Sequence, residues 1–189
     1  SVKYEYFGKT AHAAGSPEHG RSALDAIELM NIGVNFLREH VVQEARIHYV
    51  IEEGGGQPNV VPDYARSWYY IRAPERSMVA HIAGRINKIA KGAAMMTDTE
   101  LKIDLIAAIY NKIPNRVLSE LVTANMREVG HPGWTKEEET FASEIAKTLD
   151  PDAKIAGLKK YGVPNPEKYK DVNLMTDIHD AWNDGYVSK

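Results

Sequence analysis

Three side chains in this sequence combine a chemically useful group with a position suited to using it. His12 lies in Thr10-Ala11-His12-Ala13-Ala14-Gly15-Ser16-Pro17, where small neighbours allow close approach by a ligand or another chain. An imidazole in such a loop can donate a hydrogen bond to a developing oxyanion, which is worth a few kcal/mol in a desolvated site. Binding residues favour loops on rigid scaffolds; the alternative is a plain surface histidine. Asn59, in Gly56-Gln57-Pro58-Asn59-Val60-Val61-Pro62, could bind a substrate carboxylate or carbonyl, but the residues favour a side chain that caps its own turn. Arg72 closes a largely apolar run. A guanidinium there suits a bidentate carboxylate clamp, and a structural ion pair with a nearby acid fits equally. Trp68, Tyr69 and Tyr70 read as sheet packing before they read as a stacking platform.

Other chemistries find little support. A hydrolytic metal site draws on close pairs such as His-x-Asp or His-Glu-x-x-His, and neither occurs. The nearest approach, Asp177-Ile178-His179-Asp180, lies in an irregular segment. There is no Gly-x-Ser-x-Gly elbow. Gly54-Gly55-Gly56 lacks the lysine and hydroxyl of a phosphate loop and reads as a flexible turn. His19, His40, His48, His81 and His131 show no mutual spacing and are expected to be solvated or packed. The absence of cysteine removes disulfides, thiolate zinc sites and cysteine nucleophiles. A net charge of -3 argues against a nucleic-acid binder. No apolar run reaches the roughly eighteen residues that span a membrane. The opening Ser1–Phe7 alternates like a strand and lacks the apolar core of a signal peptide, so the default compartment is the cytoplasm. A chain that opens abruptly in a strand also fits an excised piece whose leader is missing.

The candidate residues need elements to hold them. With 189 residues, 43% hydrophobic and 26% charged, the chain can bury one large domain, or one domain plus a fragment. Val2, Tyr4 and Tyr6 alternate with Lys3 and Glu5, predicting a strand over 2–7. A Gly/Ala/Ser/Pro-rich loop follows, then a helix over 22–39 with Ser22 and Asp25 as a weak capping box and Ala23, Ala26, Ile27, Met30, Val34 and Leu37 on one face. Strands are expected over 46–52 and 66–72. Ser77 can cap a second helix carrying Val79, Ile82, Ile86, Ile89 and Ala93, and a fourth strand is expected over 99–109. The order β-α-β-β-α-β is the ferredoxin-like arrangement, an α+β domain with a four-stranded antiparallel sheet and two helices. It leaves an edge strand, a common route to dimerisation. Beyond Asn111 the texture becomes helical, with helices over 116–129 and 136–149, the latter behind a Thr135/Glu138 capping box. From Asp150 the chain is polar and weakly periodic, without a core of its own. Two domains are therefore expected, 1–111 and 112–189, the second a mainly helical fragment of an α/β domain whose strands are missing.

Several blocks resemble the lid domain of M20 metal-dependent peptidases and amidohydrolases. Phe7-Gly8-Lys9-Thr10-Ala11-His12-Ala13-Ala14, with Pro17 and Gly20-Arg21-Ser22-Ala23-Leu24-Asp25-Ala26, resembles its opening. Arg46-Ile47-His48-Tyr49, Gly55-Gly56-Gln57-Pro58-Asn59-Val60-Val61, Tyr70-Ile71-Arg72-Ala73-Pro74 and Gly92-Ala93-Ala94-Met95-Met96-Thr97 are similar to the branch of that family that hydrolyses p-aminobenzoyl-glutamate, in its B-type form. Trp134, Glu138 and Phe141-Ala142 extend the likeness; residues 150–189 match loosely. The resemblance implies a two-domain hydrolase that cleaves an N-acyl amide to an amino acid such as glutamate, with two divalent metals (Zn or Mn) in the catalytic domain. There a metal-bound water attacks the carbonyl and a carboxylate acts as general base. It implies a homodimer formed through the lid, with the imidazole matching His12 reaching into the partner's active site. It also implies substrate-binding roles for the residues matching Asn59 and Arg72, and a related A-type chain as a further partner. The metal-ligand motifs of that family are missing here, so this stretch alone is expected to be inactive. A non-catalytic dimerisation module is the alternative.

Overall fold

A computed structural model describes residues 1–111 and 113–178, and they separate into two compact units, Ser1–Asn111 and Lys112–Lys189.

The first unit is built on β1 (Val2–Phe7), α1 (Ala23–Leu37), β2 (Arg46–Glu53), β3 (Tyr64–Arg72), α2 (Arg76–Thr97) and β4 (Glu100–Leu105). The strands form one antiparallel sheet in the order β2-β3-β1-β4. This is the expected α+β, ferredoxin-like arrangement. Central β1 pairs on both sides, so its alternation is enforced: Tyr4 and Tyr6 are fully buried, while Lys3 and Glu5 face the open side.

Both helices cover the same face, and α1 bears Ala23, Ala26, Ile27, Met30 and Val34 on it while α2 bears Ile82, Ile86, Ala90 and Ala93. A core this rich in tyrosine must satisfy its hydroxyls. It does so across the sheet–helix boundary. Tyr4 donates to Asn87 Oδ1 at 2.7 Å and Tyr6 to the Ala90 carbonyl at 3.0 Å, both on α2. Tyr69 donates to Asn31 Oδ1 on α1. Burial pushes all three phenols well above their ordinary range. Ser67, buried in the same layer, has a hydroxyl with no partner among the described residues. Arg38, which follows α1, donates to the Ile47 carbonyl at 2.8 Å, and Asn35 reaches the Tyr49 hydroxyl. Helix α1 therefore lies over the β2 side of the sheet and α2 over the β1–β4 side.

Boundaries differ from expectation for identifiable reasons. Helix α2 is entered from Glu75, which makes no side-chain cap, and Ser77 sits inside it, because the chain turns helical as soon as it leaves Pro74. Strand β3 begins at Tyr64 because Phe7 pairs with it. Strand β4 stops at Leu105, well short of residue 109, because its sole partner ends there: Val2 pairs with Leu105. Beyond that point Ile106 and Ala107 donate to the Ser1 carbonyl instead.

The second unit contains α3 (Arg116–Val129), α4 (Lys136–Ala146) and α5 (Pro151–Lys160). Asn115 caps α3, and Thr135 with Glu138 forms the complete capping box of α4. Helix α4 ends at Ala146, three residues before the expected end at Leu149. Helix α5 is a correction to the expectation of an irregular, coreless tail. Asp150 accepts from Asp152 N and Pro151 occupies the first turn, and Ile155, Val163 and Tyr169 are buried around it. The apolar stripe of α3 is uncovered: Val117 is 74% and Val129 84% exposed.

Candidate functional site

His12 and Asn59 are brought together by paired loops at the end of the sheet where Phe7 meets Tyr64. Past that end, the segment after β1 continues as an irregular ladder. His12 bridges Val60, Ala13 N donates to the Asn59 carbonyl at 3.0 Å, and Val61 N donates to the Ala11 carbonyl at 3.0 Å. A second bridge joins Lys9 to Arg21. Gly8 makes this approach possible, since a Cβ there would lie 2.0 Å from the Arg21 carbonyl oxygen. Gly55, at φ 103°, sits in the left-handed region that ends the Gly54–Gly56 turn against Pro62.

His12 is exposed, and its Nδ1 accepts from Ala14 N at 3.2 Å and Gly15 N at 2.9 Å. Asn59 is exposed too. The turn around it closes through Val60 N to the Gln57 carbonyl, at 3.1 Å, without help from the Asn59 side chain. The expected side-chain cap is therefore not made, and the amide is unengaged among the described residues.

Arg72 does not join this pair within one chain. It ends β3, and the register Tyr64↔Phe7 and Arg72↔Arg46 places it at the opposite end of the sheet. Eight residues at about 3.3 Å each put it roughly 26 Å from Tyr64. Its guanidinium lies over the Tyr70 ring, 5.6 Å from the centroid, and forms no ion pair among the described residues. The structural ion-pair alternative is thereby excluded for those residues.

The open face of the sheet is organised by charge. Glu5 accepts from Lys102 at 2.7 Å and from the Tyr64 hydroxyl at 2.7 Å. The lysine and tyrosine contacts hold its carboxyl below the ordinary range, and Tyr64 is pushed up by burial and by Glu5. Glu52 pairs with Lys3 at 3.0 Å and Arg66 at 2.9 Å. Trp68 packs under Lys3 and donates to Ser1 Oγ, while Tyr69 is core, so the sheet-packing reading holds for these two; Tyr70 is 41% exposed and meets Trp68 edge-on.

One histidine carries more than sequence suggested. His131 Nδ1 accepts from Gly133 N at 2.8 Å and its ring lies 4.6 Å from that of Trp134. Its Nε2 is buried without a partner among the described residues. It lines an apolar cavity of about 430 Å³ with Val122, Met126 and Val129. The His-Pro-Gly turn is the one sequence signal that could have marked it. Among the described residues no three His, Cys, Asp or Glu side chains converge on a potential metal position; His179 and Asp180 lie outside the described residues. No described helix is long and apolar enough to cross a membrane.

Residues 1–95 match the family model of the M20 peptidase dimerisation domain. The chain belongs to that family. This M20 chain is 46% identical over 149 residues to the B-type p-aminobenzoyl-glutamate hydrolase chain of Escherichia coli, covering 78% of this chain and 31% of that protein. It is 34% identical over 130 residues to the Xaa-Arg dipeptidase of Mus musculus, covering 68% and 30%. A crystal structure of an aminobenzoyl-glutamate utilization protein from Klebsiella pneumoniae superposes with a TM-score of 0.57 at 24% identity, over 67% of this chain and 32% of that one, and shares its fold. The M20 chain thus spans about a third of the length of these relatives.

Proposed function

We propose that this chain is the lid of a longer amidohydrolase that cleaves N-acyl amino acids such as aminobenzoyl-glutamate. In this reading residues 1–111 are the dimerisation domain and residues 112–189 belong to the catalytic domain. The uncovered apolar stripe of α3 supports the second assignment, since an amphipathic helix requires a partner surface. The described residues provide no converging ligand set, so the divalent metals of such a hydrolase, zinc or manganese, would be held elsewhere in the parent. There they would supply an activated water. The E. coli relative is named as one of the chains of a hydrolase, which supports a search for an A-type partner.

The observation that carries the mechanism is the separation of Arg72 from His12 and Asn59 along β3. A twofold dimer joins them. Strand β2 is the long free edge, and beside it α1 exposes Ile32 and Phe36, at 50% and 67%, with Val50 of β2 at 54%. Antiparallel pairing of β2 with its twofold mate extends the sheet to eight strands and reverses the ends. Arg72 of one protomer then lies on the same end as the partner's His12 and Asn59, with the β3 strands three strand spacings, about 14 Å, apart. One protomer contributes the carboxylate clamp, and the partner contributes the oxyanion donor and an amide for the substrate carbonyl or carboxylate.

The test is hydrolysis of p-aminobenzoyl-glutamate and related N-acyl amino acids by the full-length parent loaded with a divalent metal. Turnover is expected. A dimeric, metal-loaded parent that cleaves none of these amides would return the chain to a non-catalytic dimerisation module.

A further inference from the structure

The loop around His12 treats the two ring nitrogens unequally. Nδ1 faces the main-chain N–H groups of Ala14 and Gly15, at 3.2 and 2.9 Å. A ring nitrogen that accepts N–H bonds presents its lone pair there and carries no proton, which leaves the imidazole proton on Nε2. The main chain that supplies these donors is itself fixed: Ser16 N donates back to the His12 carbonyl at 3.0 Å, and the Ala11–Ala13 segment is paired with Asn59–Val61. Nε2 has no partner among the described residues, and the side chain is exposed.

We infer that the Ala14–Gly15 backbone is a tautomer lock that makes His12 a dedicated Nε2–H donor, with Gly15 as its positioning residue. The inference rests on the proposed oxyanion role of His12. It adds a constraint that role does not contain. A general base at this position would need the Nε2 lone pair, and the lock removes it, so His12 donates a hydrogen bond and abstracts no proton. It also explains the glycine's neighbourhood. A Cβ at Gly15 would lie 3.4 Å from Nδ1, an ordinary contact, so the essential feature is the N–H and not the missing side chain.

The test combines spectroscopy on the 189-residue chain with kinetics on the active parent. Ring-15N-histidine spectra, with His12 assigned by its loss in His12→Ala, are expected to show a bare Nδ1 and a protonated Nε2. Gly15→Ala keeps the N–H and should leave both that signature and kcat within about twofold of wild type. Gly15→Pro deletes the shorter of the two N–H donors and leaves that of Ala14; the Nδ1–H tautomer should rise in population and kcat should fall by about tenfold with KM little changed. His12→Gln, which offers an amide N–H near the Nε2 position, should retain several-fold more kcat than His12→Ala. A proton on Nδ1 in the wild-type spectrum overturns the lock whatever the activity, and this readout stands even if Gly15→Pro does not fold. An inactive parent with the bare Nδ1 overturns the amidohydrolase reading and leaves the lock standing.

Discussion

At the scale of single residues, the arrangement divides into groups that hold the fold and groups that are held by it. The tyrosine hydroxyls of Tyr4, Tyr6 and Tyr69 belong to the first kind, because each spends its hydrogen bond on a helix. His12, Asn59 and Arg72 belong to the second, being exposed side chains on fixed backbone. Replacing His12 with Ala should lower kcat of the parent by about 10²–10³ with little change in KM, the range found for removal of an oxyanion donor. An unchanged kcat in steady-state assays would make His12 a surface-loop residue. Ser67 is a converse case: its buried hydroxyl has no partner among the described residues. Burying an unsatisfied hydroxyl costs about 1–3 kcal/mol, so Ser67→Ala should leave the urea midpoint unchanged or raise it. A lower midpoint would mean that the hydroxyl has a partner.

At the scale of elements, the sequence was most legible where periodicity and caps agreed. Val2, Tyr4 and Tyr6 alternate cleanly, Ser22 caps α1 as expected, and Thr135 with Glu138 marks α4. It was least legible where partners decide. The end of β4 depends on β1 running out at Val2, which no local pattern in 99–109 reveals. Helix α5 was hidden by a polar composition, although Asp150-Pro151 is a start signal of N-cap plus proline. The candidate site was legible in part. His12 stood out by its small neighbours, but the separation of Arg72 from it follows from register alone and needed the sheet. The element with most consequence is the free edge β2. Val50→Lys together with Phe36→Lys places charge on the proposed twofold seam, and light scattering should then report a monomer. A dimer that persists through both changes would move the interface elsewhere, the β4 edge being the other free strand.

At the scale of the molecule, the open sheet face and the proposed dimer set the behaviour. Glu5 is tied to Lys102 and Tyr64 and shielded, its side chain 12% exposed. Its carboxyl is held below the ordinary 4.5. A carboxyl lowered in the folded state contributes stability above its unfolded value, and that contribution is lost as pH falls through the folded one. Stability should therefore decline below pH 4.5, and Glu5→Gln should flatten that part of the profile in denaturant melts. An identical acid limb in the variant would assign the decline to other carboxylates.

The proposed cross-protomer site makes a stronger demand on the whole assembly. Full-length parents carrying His12→Ala or Arg72→Ala should each be nearly inactive as homodimers. In a mixed dimer one site keeps both groups and the other loses both. Random exchange makes half the dimers mixed, each with one intact site of two, so mixing the two variants should restore about a quarter of wild-type activity. Mixing that yields no more activity than the separate variants, with exchange verified, would contradict the shared site.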